Sequence, residues 1–491
     1  MGCSVICAAD GLNRPNGLNG LNRPNAPMGL FREYDIRGIV GKELTEEIAE
    51  RIGRAYGSLA VRSGAKAVAV GRDGRTSAMQ MRAALLKGLL GCGLDVVDIG
   101  VCPTPLLYYA IFTLPVGGGV MITASHNPPE YNGFKLCLGK DSMHGDAIQA
   151  LKDDIDKGQF VTGQGTVSEH PIIPDYMAYI KKSFAHVKAG SLKVVVDCGN
   201  GMGGLVGPDS LRLLGCRVTG MYEDVDGRFP NHDPDPTVEG NLQDLIKKVR
   251  ETKADVGIAY DGDADRIGAV DEHGHILWGD RLLVLYARDI LKDKPGSTVI
   301  SEVKASQSLY DDIQRRGGKP IMWKTGHSLI KAKMKEERAA LAGEMSGHMF
   351  FADRYFGYDD AVYASCRLIE ILAKAGKPLS ALLADLPVTS VTPEIRVDCP
   401  DAVKFDLVKK IQARFVERAK SANQPHGLTI REVITIDGIR VIFEDGWGLI
   451  RASNTQPALV LRFEASSHDR LTAIRTMIET ELAEQRRSLA I

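Results

Sequence analysis

The sequence predicts an α/β protein of several domains, closed by an α+β segment. Three observations carry that reading. From Met28 onward, apolar runs of strand length alternate with amphipathic helical patterns. The chain has 491 residues, too many for one core, which gives a soft prior of about three or four domains. Towards the carboxyl terminus the grammar changes. TIDGIRVIFEDG, GLIRAS and ALVLRFEA are alternating runs followed by helical patterns.

Residues 1–27 look foreign to the rest of the chain. GLNRPN occurs at 11–16 and again at 20–25, and the stretch is turn-rich without a hydrophobic face, so it is expected to be a disordered extension. Ile6 stands where N-myristoylation requires Ser or Thr, and the basic start of a secretory signal is missing.

In LTEEIAERIGRAYGSL, Leu44, Ile48, Ile52, Tyr56 and Leu59 share one helical face. Thr45 is the expected N-cap, and Glu46 and Glu47 suit the positive end of the helix. AVAVGRDGR then reads as a strand and loop. In VMITASHNPPEYNGFK, Val120, Met121 and Ile122 end a buried strand, and Pro128 and Pro129 forbid an immediate helix. Ser125 and His126 therefore stand on a stiff loop at a strand's carboxyl end. Neighbours on an extended chain diverge, so adjacency alone does not make His126 a base for Ser125.

The same strand–loop grammar recurs in LKVVVDCGNGMGG, DVGIAYDGDADR, STVISEVKAS, KPIMWKTGHS and AALAGEMSGH. Repetition of this kind argues for parallel or mixed sheets, with ligands at the strands' carboxyl ends. Several such ends can face one cleft. Expected linkers at 163–176, 272–280 and 386–395 divide the chain into domains of 28–172, 173–275, 276–387 and 388–491.

Composition excludes several classes. Apolar residues make up 44% and charged residues 25%, as in ordinary globular proteins. A net charge of −1 argues against a broadly basic nucleic-acid surface. No apolar stretch is long enough to span a bilayer. Nine cysteines without a CxxC pair favour reduced thiols and a cytoplasmic protein.

The strand-end loops carry the chemistry. In DGDADR, Asp261, Asp263 and Asp265 crowd three carboxylates together, which invites a hard cation such as Mg²⁺ or Ca²⁺. Asp261, Asp263, Asp265 and Glu272 also match EF-hand positions. Arg266 stands where that loop needs Gly, however, and VGIAY and IGAV flank it as strands, so an EF-hand is rejected. A phosphoryl group can complete such a site, and Ser125 can carry one if activated. EYDIRG offers Tyr34 and Arg37, VKAS offers Lys304, and KTGHS offers His327. GEMSGH sets Glu344, Ser346 and His348 close together, a grouping able to bond adjacent sugar hydroxyls. RASNTQP packs Arg451, Ser453, Asn454 and Thr455 into a turn suited to phosphate. Taken singly, each of these loops is also readable as an ordinary polar turn, cap or hairpin.

Taken together, TASHNP, DGDADR, GEMSGH and RASNTQP occur in the order found in the α-D-phosphohexomutase superfamily, over about residues 29–470. GEMSGH with RASNTQP resembles the bacterial phosphomannomutase/phosphoglucomutase branch. Phosphoglucosamine mutases, the nearest rival, usually have Gln where Met345 stands. The resemblance implies four domains around a central cleft, three related α/β units with mixed sheets and a smaller α+β unit. It implies a phosphoserine at Ser125, and one Mg²⁺ held by Asp261, Asp263, Asp265 and the Ser125 phosphate. Arg266 and Lys135 would lie near the reacting groups, with Arg37 and His348 assisting proton transfer. Tyr34, Lys304 and His327 would contact sugar or phosphate, and His126 would support by hydrogen bonding. Glu344 and Ser346 would read the sugar's O3 and O4. Arg451, Ser453, Asn454 and Thr455 would hold the non-reacting phosphate.

The implied reaction is isomerisation between hexose 1- and 6-phosphates of mannose and glucose. It runs through a hexose 1,6-bisphosphate, which also serves as activator. Phosphoglucosamine mutase is the alternative within the family. A metal-dependent phosphatase and a calcium- or sugar-binding protein are the alternatives outside it. Phosphorylated hexoses are the expected partners, with neither nucleic acid nor membrane. Monomer and dimer stay open.

Overall fold

The computed structural model describes residues 29–420, 428–454 and 456–488. The extension expected at residues 1–27 lies outside them, as does Thr455.

Four sheets follow one another along the chain. In the first, Ala67–Arg72 lies parallel to Asp95–Val101 on one side and to Gly118–Ile122 on the other. Tyr131–Leu138 then pairs antiparallel with Gly118–Ile122, and Ile36–Ile39 closes that edge. The second sheet repeats the plan with Lys193–Asp197, Arg217–Met221, Val256–Tyr260 and an antiparallel Ile267–Asp271. The third repeats it again with Thr298–Glu302, Lys319–Trp323, Leu341–Gly343 and an antiparallel Met349–Phe351. Each therefore shares a plan of three parallel strands closed by a hairpin, with a fourth parallel strand, Val167–Glu169, at the edge of the first, and all three sheets are mixed. The fourth sheet, running between Ser390 and Ala465, is antiparallel throughout and is covered by the helices Asp401–Ala419 and His468–Ser488. The expected fold class is the one observed.

The first long helix runs Glu46–Arg62. Thr45 caps it by accepting from the Ile48 amide at 3.3 Å. Leu44, Ile48, Ile52 and Tyr56 are buried, while Leu59 is only half-buried. The helix Ala78–Leu90 packs against it so closely that a Cβ on Gly53 would stand 2.3 Å from the Leu85 carbonyl oxygen.

The three segments expected as linkers are partly ordered into sheets. Val167–Glu169 joins the first sheet, Ile276–Leu277 the second and Ser390–Val391 the fourth. Their polar, turn-rich composition hid short edge strands that need little apolar surface. A single apolar core runs from Ile99 and Leu106 of the first unit through Val196 and Tyr260 of the second to Leu283 and Val362 of the third. The antiparallel unit has its own core around Leu407, Leu461 and Ile478. All seven described cysteines are unpaired and buried. Among the described residues, no helix is long and apolar enough to cross a membrane.

Candidate active site

The three-fold repetition of the sheet plan explains where the chemistry sits. TASHNP, DGDADR and GEMSGH each join the last parallel strand of a sheet to its antiparallel partner. Three equivalent loops thus converge at one place, and the fourth unit adds the hairpin loop after Gly446–Ala452.

Ser125 is buried and holds a left-handed backbone, with φ of 52°. Its hydroxyl donates to Asp261 Oδ2 at 2.9 Å. It also stands 3.1 Å from His126 Nδ1, so the expected divergence of these neighbours fails. That expectation assumed an extended chain, and the left-handed turn at Ser125 folds the two side chains together. Burial, reinforced by Arg266, holds the His126 imidazole well below its ordinary range. Asp235 lies 4.0 Å from its other nitrogen. Gly262 lets the two loops meet, because a Cβ there would stand 2.3 Å from the Ser125 carbonyl oxygen.

Asp261, Asp263 and Asp265 are fully buried, with one carboxylate oxygen from each close to the others. The amides of Asp265 and Arg266 donate to Asp261 Oδ1 at 3.0 and 3.1 Å. Thr104 donates to Asp263 at 2.5 Å, and Lys135 Nζ reaches Asp263 at 2.7 Å and Asp265 at 2.5 Å. Burial, with Asp265 and Asp263 beside it, pushes the Asp261 carboxyl well up. Burial also opposes charge on Asp263, but Lys135 and the hydrogen bonds override it and hold that carboxyl down. Asp263 Oδ1 and Asp265 Oδ1 are buried and accept no hydrogen bond, although His348 Nδ1 lies 3.6 Å from the latter. Orphaned hard oxygens in a carboxylate trio are what a divalent cation satisfies, so the residues fit Mg²⁺.

A second acidic group, Asp265, His348 and Asp359, does not fit a metal. Arg266 Nε donates to His348 Nε2 at 2.9 Å, which places the imidazole proton on Nδ1. That proton-bearing nitrogen faces Asp359 Oδ2 at 3.0 Å, so it stands as a donor towards the carboxylate rather than as a free metal ligand. Arg266 and His348 also bridge in antiparallel fashion, joining the second loop to the third. His327 stacks on His348 with ring centroids 5.5 Å apart. Burial, with Lys331 nearby, holds the His327 imidazole well below its ordinary range.

Arg37 ion-pairs with Asp35 and donates to Asn127 Oδ1 at 2.7 Å, beside the Ser125 loop. Glu344 accepts from the Gly326 amide at 2.7 Å and from Ser346 Oγ at 2.9 Å. Lys304 Nζ pairs with Glu394 at 3.1 Å. Burial opposes the Lys304 charge, but Glu302 and Glu394 keep its pKa raised. Tyr34 joins three units, since its hydroxyl donates to Thr325 O at 2.8 Å and accepts from Asn454 Nδ2 at 2.7 Å. Arg451 is buried and pairs with Asp437 at 2.9 Å, and Asp437 also accepts from the Thr325 amide at 3.0 Å. Ser453 Oγ accepts from the Gln456 amide at 3.2 Å.

The expected site residues therefore gather in two connected groups. One contains Ser125, His126, Lys135, the three aspartates, Arg266, His348 and His327, with Arg37 at its edge. The other contains Tyr34, Lys304, Glu344, Ser346, Arg451, Ser453 and Asn454. Sequence reasoning missed Thr104, Glu302, Asp359, Asp437 and Gly262. Glu302 alone receives the amides of Lys304 and Met345 and the Thr325 hydroxyl, tying three loops together. Its place at the end of a strand was the signal available.

Four consecutive segments match the phosphoglucomutase/phosphomannomutase family. Residues 28–162, 174–274 and 278–389 match its alpha/beta/alpha domains I, II and III, and 394–481 match its C-terminal domain. A phosphomannomutase/phosphoglucomutase of Pseudomonas aeruginosa is 46% identical over 453 residues, 92% of this chain and 95% of its own length. A phosphoglucomutase of Neisseria meningitidis is 44% identical over 92% of this chain and 96% of its own. The crystal structure of a phosphoglucomutase/phosphomannomutase family protein from Burkholderia thailandensis superposes with a TM-score of 0.85 at 42% identity. It covers 93% of this chain and 98% of its own.

Proposed function

The chain belongs to the phosphoglucomutase/phosphomannomutase family, and from that premise we propose how its residues divide the work. The reaction is the reversible isomerisation of the 1- and 6-phosphates of mannose and glucose. The observation that carries the division is the meeting of Ser125 Oγ with Asp261 Oδ2 at 2.9 Å, where two loops from separate sheets close on each other.

Ser125 carries the phosphoryl group. It passes to the free hydroxyl of a hexose phosphate, so that the P–O bond to serine breaks as the P–O bond to the sugar forms. The resulting hexose 1,6-bisphosphate turns round and returns its other phosphate to Ser125. The same bisphosphate primes a protein whose serine is bare. Asp261, Asp263 and Asp265 with Ser125 would hold Mg²⁺, which supplies Lewis-acid polarisation of the phosphoryl oxygens. Lys135 and Arg266 offset the charge that gathers on the transferring group.

Of the three candidate bases, His348 is the best supported. The Arg37 guanidinium offers donors and no acceptor, and it is already engaged with Asp35 and Asn127. Burial opposes the Lys135 charge, but Asp263 and Asp265 hold its pKa raised. His348 Nε2 carries a lone pair, which Arg266 releases when it turns to a phosphate. Asp359 holds the opposite nitrogen. His126 supports the Ser125 oxygen.

Glu344 and Ser346 read O3 and O4, which glucose and mannose share, and leave O2 unread. Arg451, Ser453, Asn454 and Thr455 grip the non-reacting phosphate, with Tyr34, Lys304 and His327 contacting the sugar phosphate. We place the protein in the cytoplasm.

The test is a coupled assay with Mg²⁺ and a trace of glucose 1,6-bisphosphate. Mannose 1-phosphate, glucose 1-phosphate and glucosamine 1-phosphate are supplied in parallel, and 6-phosphate product and free phosphate are followed. Comparable kcat/KM for the first two without phosphate release is expected. Turnover of glucosamine alone would point to the rival branch, and phosphate release without isomerisation to a phosphatase.

A further inference from the structure

We propose that Arg75 is the positioning residue of the Ser125 loop, its guanidinium holding the backbone that presents the serine hydroxyl. Arg75 lies just past the strand Ala67–Arg72 and is only 3% exposed. Its NH2 donates to the carbonyl oxygens of Ser125 at 2.8 Å and Asn127 at 2.7 Å. Its NH1 donates to those of Pro128 at 2.7 Å and Tyr131 at 3.1 Å. Its Nε donates to Asp73 at 3.1 Å. A guanidinium has five N–H donors, and here every one is engaged.

This arrangement answers a difficulty in the loop. Ser125 adopts a left-handed backbone that an L-residue with a Cβ disfavours. The carbonyl oxygens of Ser125, Asn127, Pro128 and Tyr131 then face one point, and that of Pro128 also accepts from the Tyr131 amide at 3.1 Å. A planar fork of five donors serves all four at once and closes the turn around itself. Lysine cannot copy it, because an ammonium offers three donors from one point.

The anchor is rigid on both sides. Asp73, itself buried, donates its amide to Ile122 O at 2.9 Å, at the end of the strand that leads to Ser125. From the second unit, the Phe229 ring lies 5.2 Å from the guanidinium carbon. A Cβ on Gly227 would stand 2.5 Å from the Gly74 carbonyl oxygen, so that loop also presses on the turn holding Arg75. Arg75 therefore registers Ser125 against the unit that carries the aspartates. It touches neither reacting atoms nor aspartates of the trio and acts through the backbone.

The inference rests on the reading of Ser125 as the phosphoryl carrier, and the test separates the two. Full-length Arg75→Lys and Arg75→Ala are compared with the parent for kcat and KM towards glucose 1-phosphate. Phosphoserine occupancy after incubation with glucose 1,6-bisphosphate is read by ³¹P NMR, and amide hydrogen exchange by mass spectrometry. For Arg75→Lys, kcat is expected to fall about 100-fold with KM held within about twofold, since the sugar and phosphate loops stand on other sheets. Exchange should rise over residues 123–133 and stay unchanged around Glu344. Methylguanidinium should restore part of the activity of Arg75→Ala.

An unaltered kcat in Arg75→Lys, a rise in KM with kcat kept, or faster exchange throughout the first unit would each overturn the proposal. Absence of rescue in a folded Arg75→Ala would do the same. If Arg75→Ala does not fold, Arg75→Lys decides. Ser125→Ala runs beside them. Normal turnover in it would sink the phosphoserine reading, and exchange over 123–133 with methylguanidinium reversal of it would then decide Arg75 by itself.

Discussion

The loops around Ser125 and the loops around Asn454 are built by opposite means. The first group grows out of three units that share one apolar core. Its loops interlock through backbone: Gly262 against the Ser125 carbonyl, and the Ile267 amide donating to Gly347 O at 3.0 Å. The second group depends on the antiparallel unit, whose core is separate. That unit meets the third sheet across a small seam. Arg440 donates to the Val303 and Ala305 carbonyl oxygens at 2.6 and 2.7 Å and lies over the Trp447 ring at 3.8 Å. Ser306 donates to Glu464 at 2.7 Å. Shared apolar cores resist separation across their whole area, whereas this seam rests on a few buried charge-assisted hydrogen bonds of about 1.5–3 kcal/mol each and a small apolar cluster of Val303, Trp447 and Leu449. On the proposed division of work, the phosphoryl end is therefore the more firmly fixed and the recognition end the more adjustable. A substrate that must bind in two opposite poses requires that combination.

The largest effect is expected at the fixed end. Ser125→Ala should lower kcat by about 10⁴-fold or more in the coupled assay, because it removes the hydroxyl proposed to carry the phosphoryl group. Activity kept in that variant would leave the fixed end without a purpose. Next comes the metal. Dialysis against EDTA should lower activity by about 10³-fold, and Mg²⁺ should restore it. Titration with Mg²⁺ after Asp263→Asn should need a higher concentration, since one orphaned oxygen is altered.

On the side proposed to recognise the sugar phosphate, to which the third unit gives Glu344 and the antiparallel unit Asn454, the losses are smaller and fall on binding. Glu344→Gln should weaken kcat/KM by about 2 kcal/mol, or about 30-fold, for glucose and mannose substrates alike. A loss for one sugar only would show that the loop reads more than O3 and O4. The smallest change is Asn454→Ala, which removes the hydrogen bond to Tyr34. About 1 kcal/mol, seen as a KM raised about fivefold with kcat nearly kept, is the expected result of initial-rate measurements. A collapse of kcat there would make the two ends equally rigid and erase the distinction.

Much of this was legible in the chain. Alternating apolar runs announced the strands, and polar residues following each run marked the loops that converge. Ser125, the three aspartates, Glu344 and Asn454 all stand where that pattern put them. The rest was hidden for physical reasons. Arg75 binds backbone carbonyls, which are the same in every sequence, so GRDGR carries no sign of its partners. Asp359 gains meaning only through His348 and Lys331, brought to it by the third unit's fold. The closeness of Ser125 and His126 depends on one backbone angle that residue type does not reveal. Short edge strands such as Val167–Glu169 have too little apolar content to stand out from linkers.

The Tyr34 hydroxyl bonds Thr325 and Asn454, partners 291 and 420 residues further along. Ribosomes make the amino-terminal part first, and domains fold broadly as units in that order. The shared core is complete once Leu386 has emerged, before Asn454 is made. During synthesis a finished phosphoryl site therefore exists for a time without the wall that encloses its substrate. On the proposed reading, sugar phosphates meeting a nascent chain at that stage would find Ser125 but no grip for their second phosphate, and the cleft would begin to work as an enclosure only when its last-made loop reaches back to one of its first-made residues.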